Sequence, residues 1–389
     1  MINALWLASW YPGRNDPFDG DFIERHAKAV SQFIKITLLY VSKDERLKTN
    51  SFEIEQTIQG NLTVYKAYYG RSGWTGVMEQ LLSYRKYKRL QKKLYRQIVA
   101  EVGKPDIVHV QVAMKAGVLA LWLKKNYQIP FIVTEHWSGY YPEIAPNIYS
   151  SNRLVKKLNK QILQDAAMFF PVSDNLGKIV NEHFVKVPYQ VIPNCVDTTV
   201  FFYSQTDVEP FRFIHPSSML AIKNAEGILR AFQIVIAKGY PAEMLMIGAR
   251  PPKVTKLCSQ LGLNDAVIFT DAVAYVEVAR QMQAASALLL FSYFENSPCV
   301  ILEALCCGLP VVSSRVGGIK ELVNSNNGIT VESNDINALA AAMMQVMDNY
   351  ASYNRPAIAA KANALYNYDA VGKQYASAYA QILALQVDR

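Results

Sequence analysis

The chain has 389 residues, 51% hydrophobic and 19% charged, with a net charge of +8. That length exceeds one ordinary hydrophobic core and favours two domains, and the composition excludes a disordered chain. The apolar runs are strand-sized, so none is expected to span a bilayer, and five cysteines without a CxxC pair suit a reducing compartment and offer no metal framework.

MINALWLASWYP opens the chain and reads as a first strand, NALWLAS, rather than a signal peptide, because no basic residues precede the apolar run. The loop WYPGRNDPFDGDF leads into a helix expected over 21–33, and KITLLYV is the next strand. A long helix is expected over 80–102. Within it YRKYKRLQKKLYR (84–96) holds seven basic residues, while Tyr84, Tyr87, Leu90, Leu94 and Ile98 recur at helical spacing. A solvated helix with one face on the core explains that pattern. Attachment to an anionic membrane surface is its functional reading, and no nucleic-acid motif accompanies it.

DIVHVQV, PFIVTEH, MFFPVS and YQVIP continue the strands, with a helix at 152–164. The stretch 193–211 is irregular, polar toward its end and flanked by proline, and reads as a linker. After it come FRFIHP, EMLMIG, AVIFT, ALLLFS and PVVSS, with helices at 224–238, 254–261 and 276–284 and one carrying Glu303. Strand-helix alternation with Val/Ile/Leu-rich strands, occurring twice, predicts an α/β protein of two doubly wound Rossmann-like domains. The expected domains are 1–195 and 196–367, with a final helical region, 368–389, packed back onto the first. Domains of this kind facing each other across a cleft bind ligands at the carboxyl ends of their strands.

That rule selects the candidate residues. Past NALWLAS lie Gly13 and Gly20. Past PFIVTEH lie Glu135, His136 and Ser138, with Tyr140 and Tyr141 either lining an acceptor site or simply packing. Past FRFIHP lie Ser217, Ser218 and Lys223; past ALLLFS lies Glu295; past PVVSS lie Arg315, Gly317 and Gly318. His109, inside DIVHVQV, reads as structural, and His26 and His183 as non-catalytic. Asp19-Gly20-Asp21 spells D-x-D, but it stands where a helix N-cap and first turn are expected, so no metal site is assigned.

The segment FENSPCVILEALCCGLPVVSSRVGGIKELV carries the most chemistry. Ser297 is a good N-cap and Pro298 a good first residue, so a helix is expected to run to Cys307 and stop at Gly308. Its free N–H groups favour an anion. Glu303 lies four residues after Cys299, on the same face, where a carboxylate can accept from a pair of sugar hydroxyls. Gly317-Gly318 permits close approach of backbone to phosphate.

This segment resembles the retaining glycosyltransferases of family 4, which have the GT-B fold. The resemblance rests on Glu295, Glu303, Ala304, Gly308, Pro310, Val311, Val312, Gly317, Gly318 and Glu321. Fainter echoes are SWYP with Gly20, TEH at 134–136, PVSDNL, IPN-x-VD at 192–197 and KNAEGILRAF at 223–232. The resemblance implies that Glu303 binds the donor's ribose hydroxyls and that Glu295 lies near the donor sugar, whose hydroxyls are held by the backbone of Asn296, Ser297, Pro298 and Cys299. It implies Lys223 as a diphosphate ligand, His136 as the histidine reaching the transferred sugar, and Gly20 as the loop glycine nearest the diphosphate or acceptor. Ser218 stands where the family usually has Arg, so Arg315 or Lys320 is a candidate for the missing cation. Cys195 and Asp271 replace glycines usual in the family.

A leaving diphosphate needs positive groups, which an ammonium and a helix N-terminus supply without a metal or other cofactor, and the oxocarbenium-like centre must be held in place. The expected reaction is transfer from a nucleotide sugar to a glycan or lipid-linked acceptor. Two alternatives remain at this stage: a nucleotide-sugar epimerase of the same fold, and a non-catalytic basic membrane or nucleic-acid adaptor.

Overall fold

The computed structural model describes residues 1–205 and 209–387, so 206–208 of the expected linker and the last two residues of 368–389 lie outside it. The chain divides into two compact units, Met1–Pro193 with Tyr368–Arg389, and Asn194–Asn367.

The first unit begins with β1 (Asn3–Ala8), α1 (Asp21–Val30), β2 (Lys35–Lys43), β3 (Phe52–Gln59) and β4 (Leu62–Tyr69). It continues with α2 (Gly76–Val102), β5 (Ile107–Gln111), α3 (Gly117–Tyr127), β6 (Phe131–Glu135), α4 (Arg153–Asp165), β7 (Phe169–Pro171) and α5 (Asp174–His183). The sheet order is β3-β4-β2-β1-β5-β6-β7. β5 and β6 are buried along their whole length, which is why they read as unbroken apolar runs rather than alternating ones. β3 pairs antiparallel with β4 and is exposed throughout. YQVIP is not a strand; Tyr189 makes a single bridge to Phe169.

The second unit contains β8 (Phe211–Pro216), α6 (Ala225–Ala237), β9 (Ala242–Ile247), α7 (Pro252–Gln260), β10 (Val267–Thr270) and α8 (Tyr275–Gln283). Next come β11 (Ala287–Leu290), α9 (Cys299–Cys306), β12 (Val311–Ser314), α10 (Ile319–Leu322), β13 (Gly328–Val331), α11 (Ile336–Asp348) and α12 (Arg355–Tyr366). The order β10-β9-β8-β11-β12-β13 is parallel throughout and reverses direction between β8 and β11, the usual place for a ligand in an open parallel sheet. Successive side chains of a strand go to opposite faces: Phe213 joins Phe232, Met244 and Met343 in one core layer, and Ile214 joins Leu245, Leu288, Ile301 and Leu305 in the other.

The last helix, α13 (Tyr368–Val387), belongs to the first unit and packs on α1. A Cβ on Gly372 would stand 2.4 Å from Ala29 O, so only glycine allows this approach of the two backbones. Tyr375 and Tyr379 are fully buried there.

Candidate functional site

In the second unit the polar groups gather past the carboxyl ends of β8, β11 and β12. His215, on β8, is buried, and burial pushes its pKa down to about 4. The neutral ring donates from Nδ1 to Leu289 O at 2.9 Å and accepts at Nε2 from Ser217 Oγ at 2.8 Å. That hydroxyl in turn accepts from Met219 N at 3.1 Å, which bends the chain into the turn that presents Lys223. Asn224 follows with φ 51° and caps α6 by accepting from Gly227 N at 3.1 Å.

Lys223 Nζ lies 2.6 Å from Glu295 Oε1. The same carboxylate oxygen accepts from Ser292 Oγ at 2.7 Å, and Ser292 O accepts from Ser314 Oγ at 2.6 Å. Glu295 is thus braced from two strand ends. Its own carbonyl rests on Gly317, where an added Cβ would stand 1.8 Å away. Phe294, Glu295 and Asn296 are all buried, and Ser297 O accepts from Asn194 Nδ2 at 2.9 Å.

α9 starts one residue later than the sequence suggests. Pro298, with φ −70° and ψ 115°, takes the cap position, and Cys299 is the first helical residue. Ser297 therefore precedes the cap and no side chain caps the helix. Glu303 lies on α9, buried. Burial beside Glu303 raises the Cys306 thiol to about 12 and pushes Cys307 up further, which makes both inert. Gly308 ends the helix with φ 73°.

Arg315, a candidate for the cation that Ser218 does not supply, has its guanidinium bonded to Thr330 Oγ1 at 3.1 Å and Thr330 O at 3.3 Å on β13. Ser218 is exposed beside the β8 end, and Asp271 pairs with Arg250 at 3.0 Å.

In the first unit, Glu135 organises the loop after β6. Its carboxyl accepts from the backbone N–H groups of Ala113 at 3.0 Å, His136 at 3.0 Å and Trp137 at 2.9 Å, and from Tyr140 Oη at 3.3 Å. Burial raises its pKa to about 7 against those four bonds. Tyr140 is fully buried, so it packs and supports the loop rather than lining an open surface. His136 donates from Nε2 to Gln111 Oε1 at 3.3 Å and stacks on Phe22 at 4.4 Å between centroids. His26 is buried and held near a pKa of 4. Gly20, at φ 66°, precedes α1; a Cβ there would stand 2.7 Å from Trp10 C. Asp21 pairs with Arg25 at 2.8 Å, and no cluster of three or more His, Cys, Asp or Glu among the described residues could hold a metal ion.

Sequence reasoning missed Ser292, Asn194 and Gln111. Gln111 ends β5, so the strand-end rule that selected His136 would also have selected it.

Two family models match adjacent parts of the chain: "Glycosyltransferase Family 4" over residues 63–200 and "Glycosyl transferases group 1" over residues 197–363. A Bacillus subtilis (strain 168) chain named for teichuronic acid biosynthesis, TuaC, is 24% identical over 88% of this chain and 88% of its own length. The alpha-monoglucosyldiacylglycerol synthase of Streptococcus pneumoniae is 25% identical over 55% of this chain and 53% of its own. Among solved structures, the sucrose-phosphate synthase of Thermosynechococcus elongatus superposes with a TM-score of 0.77 at 16% identity, covering 99% of this chain and 100% of that one. Anabaena HepE, solved with UDP, gives a TM-score of 0.71 at 16% identity over 98% of this chain and 100% of its own.

Proposed function

The chain belongs to glycosyltransferase family 4, and on that premise we propose that it moves a hexose, with retention and without a metal ion, from a nucleoside-diphosphate sugar to a glycan or lipid-linked acceptor. The observation that carries this reading is the Lys223–Glu295 contact of 2.6 Å at the mouth of α9. Lys223 and the first-turn N–H groups of α9 are the positive groups for the departing diphosphate. Glu295 and the backbone of 296–299 face the sugar, and Glu303 takes the ribose hydroxyls. In the transfer, the C1–O bond to the diphosphate breaks and a C1–O bond to the acceptor oxygen forms on the same face. The acceptor's proton passes to a diphosphate oxygen, so no protein nucleophile is needed.

Support for the acceptor class comes from relatives named for teichuronic acid biosynthesis and for the synthesis of a glucosyldiacylglycerol. It also comes from the start of α2, where Val77, Met78 and Leu81 are 79, 47 and 43% exposed, and from Trp74 just before the helix, 61% exposed, all ahead of the basic stretch 84–96. Apolar side chains beside a basic face suit an anionic lipid surface. No helix among the described residues is long and apolar enough to cross a membrane.

Incubation with a panel of nucleotide sugars tests the reaction. Release of nucleoside diphosphate, unaffected by EDTA, is the expected outcome; an isomerised free nucleotide sugar favours epimerisation, and no change favours an adaptor. Glu303→Ala is expected to abolish nucleotide binding with the fold intact, and unchanged affinity removes Glu303 from the site. Vesicles containing phosphatidylglycerol are expected to bind the protein at low salt. Binding that survives replacement of the seven basic residues of 84–96 by glutamine rules out the membrane role.

A further inference from the structure

We propose that Gln111, His109 and the two buried tyrosines of α13 form a positioning set that fixes the orientation and tautomer of His136 for sugar transfer; this rests on the reading of His136 as the group at the transferred sugar. The set is a continuous chain of hydrogen bonds in the interior of the first unit. His136 Nε2 meets Gln111 Oε1 at 3.3 Å, and Gln111 Nε2 meets His109 Nε2 at 3.1 Å. His109 Nε2 also meets Thr134 Oγ1 at 2.7 Å, and His109 Nδ1 meets Tyr379 Oη at 2.5 Å. Thr134 Oγ1 meets Tyr375 Oη at 3.0 Å. Gln111, His109, Thr134, Tyr375 and Tyr379 have essentially no exposed surface.

Donor and acceptor roles follow from the chemistry of the groups. An amide NH2 can only donate, and Gln111 Nε2 stands closer to His109 Nε2, at 3.1 Å, than to Nδ1, at 3.5 Å, which favours the lone pair on Nε2. The His109 proton therefore sits on Nδ1 and goes to Tyr379 Oη. Thr134 donates its hydroxyl proton to the same His109 Nε2, sharing that nitrogen's single lone pair with the Gln111 amide, and accepts from Tyr375. With its NH2 committed to His109, Gln111 turns its carbonyl oxygen toward His136. A carbonyl oxygen can only accept, so His136 carries a proton on Nε2. Burial keeps His109 neutral, its pKa pushed well below the usual range, so the chain of roles does not reverse in mild acid. Phe22 at 4.4 Å and His26 at 5.4 Å, centroid to centroid, hold the faces of the His136 ring.

The consequence is that the last helix of the chain reaches back to set the proton of a residue more than 200 positions earlier. A neighbour whose hydrogen bond fixes the tautomer of a working histidine is worth a large factor in rate when the alternative tautomer is inactive. The tyrosines act through His109, Thr134 and Gln111.

The test uses the full chain with 15N-histidine labelling, in which five imidazoles are read individually. Tyr379→Phe and Gln111→Met are made singly and each is combined with His136→Ala. The expected result for the single variants is a fall in kcat of tenfold or more, with the KM for the nucleotide sugar changed less than twofold. The His136 ring nitrogens are expected to move from a predominantly Nε2-protonated pattern to a mixture. Gln111→Glu, which keeps the acceptor oxygens but loses the NH2, is expected to restore part of the rate lost in Gln111→Met. In the His136→Ala background, Tyr379→Phe is expected to cost nothing further. If both single variants leave kcat and the His136 nitrogen shifts at wild-type values while His136→Ala abolishes transfer, the positioning set is overturned. If His136→Ala itself transfers sugar normally, the reading of His136 beneath it fails, while donor binding to the second unit is left standing.

Discussion

Gly317 shows how narrowly the donor side is built. Its φ of 47° lies in the left-handed region, and an added Cβ would stand 1.8 Å from the carbonyl oxygen of Glu295. Alanine there meets both the strain of that backbone conformation, roughly 1–3 kcal/mol, and a clash with backbone that cannot swing aside. Gly317→Ala is therefore expected to lower stability by at least about 2 kcal/mol in urea titration and to weaken nucleotide binding, because the carbonyl that must move belongs to Glu295. Gly262 is the control: its φ is 69° but a Cβ meets nothing within 4 Å. Gly262→Ala is expected to cost only the local strain, about 1 kcal/mol, and to leave nucleotide affinity unchanged. Ser218→Arg probes the opposite sign. Ser218 is exposed at the position where the resemblance to family 4 implies an Arg, so a guanidinium there is expected to tighten nucleoside-diphosphate binding several-fold at low salt, with the gain screened at high salt.

At the scale of elements, α9 tests whether the reactive edge of the site is where the helix places it. Cys299 is its first residue and half-exposed, whereas Cys195, Cys258, Cys306 and Cys307 are buried. A thiol reagent applied to the native protein is expected to titrate one cysteine rapidly, and a nucleoside diphosphate to slow that reaction. Rapid labelling of Cys306 or Cys307 would contradict the raised pKa that burial gives them. α9 also shows which part of the fold the sequence makes legible. Its existence, its stop at Gly308 and the placing of Glu303 follow from local signals, but its start does not, because Ser297 and Pro298 both fit two adjacent cap positions and only the turn from β11 decides between them. β3 was missed for a different reason. FEIEQTIQ is exposed throughout, so it lacks the buried apolar run by which the parallel strands announce themselves, and its antiparallel partner defines it. Lys223 and Glu295 are legible as a pair only because a motif names both; no period or spacing says that they meet at 2.6 Å. Tyr375 and Tyr379 fall in the expected last helical region, and nothing local to α13 indicates that the hydroxyl of Tyr379 ends on His109 and that of Tyr375 on Thr134.

The whole molecule carries a pH dependence set by its buried imidazoles. His26 and His215 are pushed down to about 4 by burial, and burial pushes His109 well below the usual range. An unfolded histidine takes up its proton near pH 6.5, whereas these three stay neutral in the folded chain until pH is much lower. Between those limits the unfolded state binds more protons, so stability rises with pH across the window and falls as acid is added. For His26 and for His215 a shift of this size corresponds to about 3 kcal/mol at the acid end. Glu135 works the other way: raised to about 7, it holds a proton in the folded state that the unfolded chain has already lost, so its contribution grows as pH falls from 7 toward 4.5. Asp19, raised to about 6, has the same sign but is only half-buried, and its weight is reduced by solvent. Asp44, held near 2 by Arg46 and Arg14, loses its contribution only below pH 4, as pH falls through that value. Three imidazoles against one buried carboxyl leave a net loss of stability between pH 6.5 and 4.5. The urea midpoint read by far-ultraviolet circular dichroism is expected to be lower at pH 4.5 than at pH 7. His215→Gln, which keeps a polar group under Leu289 O but does not titrate, is expected to flatten that dependence; a slope unchanged by this variant would mean that the imidazole of β8 is protonated in the folded chain.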